Sequence, residues 1–201
     1  MAWFSSRNIS VSTVPVSIEV LWPLITNAET LASLTPLVRS IEDVGDHWRW
    51  TLDGIEGLGL KVEPIFTERM EFVDQRQIVF SHDPPANERE RAAVEGVYDF
   101  TPIDSEVTEL KVDLTLSVEL PLPRLSRMAV EPIMNATMRV TGQRFASNLY
   151  EHLGLDPSDV EIVEPQEVVN RVELVQVRSG QDAAEEDAAD ESNDVQLSMR
   201  G

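Results

Sequence analysis

The sequence predicts an α+β domain in which an antiparallel sheet of about seven strands is covered by one long C-terminal helix. Apolar and polar residues alternate along most of residues 38–120, which is the period of strands with one dry face. Over residues 124–153 the apolar residues recur at helical spacing instead, and this segment is long enough to cover the sheet. Two shorter helical patterns between residues 17 and 34 predict two small helices after the first strand.

The first elements are a strand and these two helices. Residues 7–14 alternate and are rich in β-branched side chains, so they predict a strand. Ser17 follows as a suitable N-cap residue, and apolar residues then recur at helical spacing as far as Ile25. The second helix is predicted over residues 28–34, because Pro36 blocks its continuation.

The rest of the sheet consists of six predicted strands, separated by turn-like segments that contain Gly, Pro, Asp or Ser. Consecutive strands on short turns predict antiparallel pairing. Residues 54–57 are predicted to be one of these turns. The six strands are predicted at residues 38–44, 47–53, 58–73, 77–82, 91–102 and 106–120.

Each predicted strand has one apolar and one polar face, so the sheet is expected to be covered on one side only. Along the fourth strand, Phe66 and Met70 belong to the dry face and Thr67 belongs to the wet face. Glu68 is the polar exception, since it lies in register between Phe66 and Met70. Its side chain points inward unless a β-bulge turns it outward, or the strand end lies beyond the cover of the helix.

The covering helix is predicted to begin near Pro123, which suits the first helical position, and to end with Gly154 as its C-cap. Pro132 is predicted to kink this helix or to restart it after a broken first turn. The inward-facing stripe of the helix consists of Met134, Met138, Thr141, Phe145 and Leu149.

Residues 1–154 form the predicted domain, and residues 155–201 form an acidic tail. This tail holds 13 acidic and 3 basic side chains, which accounts for half of the net charge of −20. Residues 160–163 and 168–177 are β-prone and are candidates for one further strand. From about residue 179 the sequence is of low complexity and has no apolar face, so it is predicted to be mostly disordered.

Composition disfavours several classes of function. A net charge of −20 repels phosphate groups, so binding to nucleic acids is not expected. The chain has no cysteine, its three histidines lack ligand spacing, and no calcium-loop pattern occurs, so no metal site is predicted. The acidic cluster of Glu88, Glu90 and Glu95 is predicted to be a charged surface loop. No phosphate loop or dinucleotide fingerprint occurs, so no cofactor is predicted.

No apolar stretch approaches the roughly 20 residues needed to cross a bilayer, so stable membrane insertion is not predicted. The N-terminal residues lack the pattern of a signal peptide. We therefore expect a cytoplasmic protein, and the absence of cysteine agrees with a reducing compartment.

The order of elements, together with three local segments, resembles the START-like helix-grip superfamily, which includes polyketide cyclase/dehydrase and lipid-transport proteins. These segments are residues 14–27 at the first strand–helix junction, residues 31–38 with Trp48-Arg49-Trp50, and residues 144–150 near the end of the last helix. The resemblance covers about residues 5–154 and implies a strongly curved sheet that wraps around the last helix over a cavity. Its motifs are structural, so it implies the fold and leaves the activity open.

The predicted ligand-binding residues lie on the dry faces of the strands and of the last helix. For each apolar residue the alternative is ordinary core packing. Polar residues at dry positions are the more informative ones, because they could hydrogen-bond a ligand. The predicted set is Trp48, Trp50, Leu60, Val62, Phe66, Glu68, Phe80, Tyr98, Phe100, Met134, Met138 and Thr141.

Three functions remain open at this point. The first is binding or carriage of a small hydrophobic or amphipathic molecule, such as a lipid or a quinone-like or polyketide-like compound. The second is an enzyme of the polyketide cyclase/aromatase kind, in which Glu68 and Tyr98 would be the acid/base residues. The third is a protein-interaction or co-chaperone module that meets a basic partner through the acidic tail or a sheet edge.

Overall fold

A large sheet and one long helix dominate the computed structural model, which describes residues 1–53, 55–57 and 60–163, with no side chains for residues 55–57 and 60–62. The strands are β1 (Ala2–Val14), β2 (Val38–Val44), β3 (His47–Leu52), β4 (Ile55–Gly57), β5 (Leu60–Val62), β6 (Ile65–Val73), β7 (Gln77–His82), β8 (Ala92–Pro102), β9 (Thr108–Leu120) and β10 (Ile162–Val163). The helices are α1 (Ile18–Ile25), α2 (Ala28–Leu34) and α3 (Arg127–His152), and a short 3₁₀ turn at Arg124–Ser126 precedes α3.

Eight of the strands form one sheet in the order β10-β1-β9-β8-β7-β6-β3-β2. From β1 to β2 every neighbouring pair is antiparallel. The predicted α+β class, the antiparallel sheet and the long C-terminal helix are therefore confirmed. The seven strands from β1 to β2 correspond to the predicted seven, and β10 is an eighth.

The first strand is longer than the sequence pattern indicated. β1 begins at Ala2 and not at residue 7, and it pairs with β9 along its whole length, from Ala2 opposite Leu120 to Val14 opposite Thr108. The added residues alternate as a strand should, with Ala2, Phe4 and Ser6 buried. This partnership with a distant strand is not visible in so short a segment.

The predicted long strand over residues 58–73 is wrong, because it is interrupted at Pro64. A proline has no N–H to donate to a strand ladder, and here it separates β5 from β6. Residues 55–57, predicted as a turn, are instead the strand β4, which pairs with β5 in a separate two-stranded sheet.

The loop of residues 83–91, predicted as a charged surface loop, also covers part of the outer face of the large sheet, and this covering was not predicted. Thr67, expected on the wet face, is buried because its N–H and Oγ1 donate to the Glu90 carboxylate at 2.8 and 2.7 Å. Glu119 is buried too, and it accepts a hydrogen bond from Arg89 at 2.7 Å. The prediction of an exposed position for Glu90 is therefore wrong.

The two short helices close one end of the inner face. Leu21 of α1 is completely buried in the main core, and the Trp22 ring meets Phe100 edge-on with ring centroids 5.3 Å apart. The Thr108 hydroxyl donates to the Val16 carbonyl at 2.9 Å, which links the start of β9 to the segment that leads into α1. Both predicted helices are present.

The long helix α3 is continuous, so the predicted restart at Pro132 does not occur. Pro132 has no N–H, so one helical hydrogen bond is missing in the second turn, and the predicted kink there stays a prediction. The helix ends as predicted at Gly154, which has a φ of 73°. The N–H groups of Gly154 and Leu155 donate to the carbonyls of Glu151 and Tyr150, which is a Schellman motif.

The segment after α3 is described only as far as residue 163. The candidate strand at residues 160–163 is present as β10, but the candidate strand at residues 168–177 and the disorder expected from about residue 179 fall outside the described residues. The domain boundary at residue 154 stays a prediction. No helix in the described part of the chain is long and apolar enough to span a bilayer.

Candidate functional site

The long helix α3 is fixed to the sheet at its two ends and is loosely packed between them. Near its start, Val130 packs with Ala2 and Phe4 of β1. Near its end, Tyr150 is buried in the main core, and its hydroxyl donates to the backbone of β1 at 2.8 Å. All of residues 131–145 are described, and none of them is buried. This middle section is roughly 22 Å long at 1.5 Å per residue.

The sheet below this section is also incompletely buried. The Ser6 hydroxyl donates to Asn135 Oδ1, which places the middle of α3 at the level of Leu116, the partner of Ser6 on β9. β9 lies between β1 and β8, and a tightly packed interior would bury its inner face. Four apolar residues of that face are nevertheless only half-buried: Val112, Leu114, Leu116 and Val118.

Aromatic rings from β3 and β6 form one wall of this interior. Trp50 stands opposite Phe66 in the pairing of the two strands, and their rings stack at 13° with centroids 5.8 Å apart. The Trp48 ring is 6.4 Å from that of Trp50 and is 1% exposed. The predicted face of β3 and β6 thus brings these three aromatic residues together.

Glu68 belongs to this wall and points inward. β6 pairs with both β3 and β7 without a register shift, so no bulge turns the side chain outward, and it is only 2% exposed. Burial raises the pKa of the Glu68 carboxyl well above its ordinary value, because an apolar surrounding disfavours the charged form. No cation among the described residues pairs with it.

The indole N–H of Trp50 lies close to this carboxyl. It acts against the rise in the pKa of Glu68, since a donor favours the charged form. The contact does not reach the geometry of a hydrogen bond, and within the described residues Nε1 of Trp50 is buried without a partner. A buried donor without a partner is uncommon, because leaving it unpaired costs about 1–3 kcal/mol.

Tyr98 lies deep in the same interior. Its ring meets Phe80 edge-on with centroids 5.0 Å apart, and desolvation followed by the charge of Glu68 raises the pKa of its hydroxyl strongly. The residue still keeps part of its accessible surface. Partial accessibility of an aromatic residue on the inner face of the sheet is expected where its side chain lines an internal space.

Gly96 allows this packing. On β8 it stands opposite Phe80, and a Cβ atom at residue 96 would lie 2.9 Å from the Phe80 ring. The same atom would lie 2.3 Å from the Asp113 carbonyl oxygen and 2.8 Å from Leu114 Cα. Only a residue without a side chain fits here, because two of these three neighbours are backbone atoms of β9.

The other predicted site residues are spread along the interior. Phe100 is buried against α1, and Met134 packs against the separate cluster of Ala2, Phe4 and Val130. Met138 and Thr141 are half-buried on the middle section of α3. Leu60 and Val62 lie on β5, outside the large sheet, and their side chains fall outside the described part of the structure.

One buried polar cluster was not predicted from the sequence. His82 Nε2 lies 2.9 Å from the Glu90 carboxylate, which also holds Thr67. The sequence around Glu90 is densely charged, so it gives no signal that this one carboxylate is buried. Among the residues the structure describes, no group of three or more acidic or histidine side chains is placed to hold a metal ion.

Comparison with known proteins gives structural relatives only. No protein-family model matches the sequence, and no curated protein matches it. A conserved protein from Geobacillus kaustophilus superposes with a TM-score of 0.57 at 15% identity, over 78% of this chain and 98% of that one. A START superfamily protein from Mycobacterium smegmatis has a TM-score of 0.54 at 17% identity, over 73% and 95%. A protein from Thermus thermophilus has a TM-score of 0.50 at 22% identity, over 73% and 98%.

These likenesses cover most of this chain and nearly the whole of each relative. At such low sequence identity they concern the fold and not the activity. The chain has the START-like helix-grip fold.

Proposed function

We propose that the protein binds or carries a small hydrophobic or amphipathic molecule, of the lipid, quinone or polyketide kind, between the sheet and α3. The main support is that residues 131–145 of α3 and the inner face of β9 are both incompletely buried, and that the Ser6–Asn135 hydrogen bond brings α3 to the level of Leu116. The apolar face of β9 remains accessible beneath half-buried Met134, Met138 and Phe145 of α3, and such an accessible apolar surface favours an apolar guest. The unpaired polar groups at Trp50 and Glu68 would then fix its orientation.

The first test identifies an occupant. Native mass spectrometry of gently purified protein, with mass spectrometry of its organic extract, is expected to reveal a stoichiometric small-molecule adduct of low polarity. The control is the same protein after partial unfolding and delipidation, which should lose the adduct. An unliganded mass, together with no uptake of N-phenyl-1-naphthylamine by the delipidated protein, would contradict the proposal.

A second test concerns the space itself and needs no known ligand. Leu116→Trp adds volume where the interior is half-buried, so it should leave the unfolding temperature nearly unchanged and weaken binding of N-phenyl-1-naphthylamine. Ile78→Trp is the matched control, because Ile78 is 1% exposed in the packed core. Overpacking there should lower the stability by about 1–3 kcal/mol. Equal destabilisation by both substitutions would indicate that the interior is filled.

A catalytic role is the second candidate, and the proximity of Glu68 and Tyr98 favours it. The charge of Glu68 raises the pKa of Tyr98, so the two groups lie within electrostatic range, and the Glu68 carboxyl with its raised pKa could serve as a general acid. The test is turnover of a ligand identified by extraction. Full activity in both Glu68→Gln and Tyr98→Phe would show that neither residue is catalytic.

We further propose a cytoplasmic location, which the absence of cysteine supports. Fractionation of the native host, with immunodetection of the protein, tests this location. Recovery with a secreted or envelope fraction would argue against it.

A further inference from the structure

Three hydrogen-bonding side chains converge on the aromatic wall and remain without good partners among the described residues. Nε1 of Trp50 is buried and unpaired, and the Glu68 carboxyl beside it has no cation and no hydrogen bond of good geometry. The Tyr98 hydroxyl, close enough to feel the charge of Glu68, donates to no described residue. Among the described residues one other buried side-chain atom lacks a partner, Glu119 Oε2, whereas the buried Thr67 is bonded to Glu90.

The chemistry of these groups limits what they can receive. An indole N–H can only donate a hydrogen bond, so whatever satisfies Trp50 must be an acceptor. Burial raises the pKa of the Glu68 carboxyl, so the group holds its proton to higher pH and can donate it while protonated, and a phenol can donate as well. One oxygen with two lone pairs accepts two such bonds, and a conjugated carbonyl oxygen is an acceptor that donates nothing in return.

We propose that the ligand presents a carbonyl-type oxygen to Trp50 and Glu68, with Tyr98 as the third donor at this end of the interior. This inference rests on the proposed ligand-binding function and specifies the chemistry of its polar end. The ligand class is a hydrophobic ketone, quinone or related carbonyl compound whose apolar body lies between β9 and α3. Trp50, Glu68 and Tyr98 are in this view the residues that determine specificity.

An amine is the competing possibility, since a carboxylate among aromatic rings can hold a cation. Two features of the wall favour the carbonyl. An ammonium group has no lone pair for the Trp50 N–H, which would stay buried and unpaired. One face of the Trp50 ring is already stacked on Phe66 at 13°, so that face is closed to a cation.

The test compares the binding of three bicyclic molecules of similar size to the full chain. 1-Tetralone accepts hydrogen bonds but donates none, tetralin neither accepts nor donates them, and 1-aminotetralin is a cation at neutral pH. Affinity is measured by displacement of N-phenyl-1-naphthylamine from delipidated protein. We expect 1-tetralone to bind about tenfold more tightly than tetralin, as one or two net hydrogen bonds would give. The amine is expected to bind no better than tetralin.

Variants assign the preference to the named groups. Trp50→Phe keeps an aromatic ring and removes the N–H, and Glu68→Leu removes the carboxyl, so each should reduce the ketone preference to about threefold or less. Glu68→Gln should retain most of the preference, because the amide still donates. Trp3→Phe, at a position that is 43% exposed, is the matched control and should change nothing.

Each outcome decides the question. Equal affinity for 1-tetralone and tetralin, or preference for the amine that Glu68→Gln abolishes, would overturn the carbonyl inference and leave the proposed function standing. Binding of none of the three, with no adduct by native mass spectrometry, would overturn the proposed function itself. A ketone preference that survives in both Trp50→Phe and Glu68→Leu would show that other groups hold the oxygen.

Discussion

A carboxyl group buried in an apolar wall makes the stability of the protein depend on pH. The pKa of Glu68 is raised in the folded state, while in the unfolded chain it lies near its ordinary value of 4.5. Below about pH 4 both states bind the proton, so Glu68 imposes no penalty. As the pH rises, the unfolded chain releases its proton first, and the free energy of unfolding falls until the folded pKa is passed.

We predict that Glu68→Gln, which cannot ionise, lacks this loss of stability. The difference in unfolding temperature between the variant and the parent should be small near pH 4 and should grow in favour of the variant towards pH 8. Thermal unfolding followed by circular dichroism across this range measures it. Glu71→Gln, an exposed carboxyl on the same strand, is the control and should follow the parent at every pH. Parallel curves for Glu68→Gln and the parent would contradict the prediction.

A second prediction for a single residue concerns the substitution of Gly96. A methyl group at this position would be within 3 Å of the Asp113 carbonyl oxygen and of Leu114 Cα, so Gly96→Ala must displace the backbone of β9. We expect a loss of about 1–3 kcal/mol in urea unfolding. Gly142→Ala is the matched control, because nothing lies within 4 Å of its added Cβ in α3. This control should stabilise the protein by roughly 0.5–1 kcal/mol through helix propensity. Equal effects of the two substitutions would disprove the close approach.

Among the elements, the loop of residues 83–91 is held on the sheet by polar contacts of unequal value. Glu90 accepts two bonds from Thr67 and lies 2.9 Å from His82, in a buried setting. Glu88, in the same loop, pairs with Arg49 at 3.0 Å on the surface. Buried acceptors are costly to remove because their donors lose their partners, whereas exposed ion pairs contribute little.

We predict that Glu90→Ala destabilises the protein by about 1–3 kcal/mol, since it leaves the buried N–H and hydroxyl of Thr67 unpaired. Glu88→Ala should cost less than about 1 kcal/mol, as exposed ion pairs do. Chemical denaturation gives both values, and amide exchange of residues 83–91 should accelerate only in Glu90→Ala. A larger effect at Glu88 than at Glu90 would refute this ranking.

The elements also show what the sequence could and could not predict. Periodicity was sufficient for β2, β7, α2 and the inward face around Trp48 and Phe66, because local patterns determine them. The extent of β1 and the burial of Glu90 depend on contacts with residues distant in the chain. The local sequence pattern does not reveal such contacts. Residue spacing predicted Glu68 and Tyr98 on the inner face, but the distance between them depends on the lateral order of the strands, which residue spacing alone does not contain.

For the whole molecule, the excess of negative charge is the main electrostatic property. A net charge of −20 at pH 7 acts against the compact state through self-repulsion, and salt screens that repulsion. We therefore predict that the unfolding temperature of the full chain rises when NaCl is increased from about 10 to 300 mM, over which the Debye length falls from roughly 30 to 6 Å. KCl in place of NaCl should give the same rise in unfolding temperature, because screening depends on ionic strength and not on which monovalent cation is present. A fall with salt would mean that surface ion pairs dominate.

The unequal fastening of α3 has a consequence for how the interior exchanges its contents. In the described part of the chain, the start of the helix is held by a cluster of three buried residues, Ala2, Phe4 and Val130, whereas its end belongs to the main core with Leu149 and Tyr150. The end with fewer buried contacts detaches at the lower free energy. Amide hydrogens of residues 131–136 should therefore exchange faster than those of residues 146–152 in the same helix. Uniform protection along α3 would count against this. If this difference in exchange rate is found, the end of α3 near Tyr150 acts as a hinge and the start of α3 opens. A guest molecule would then enter and leave beneath the first turns of the helix.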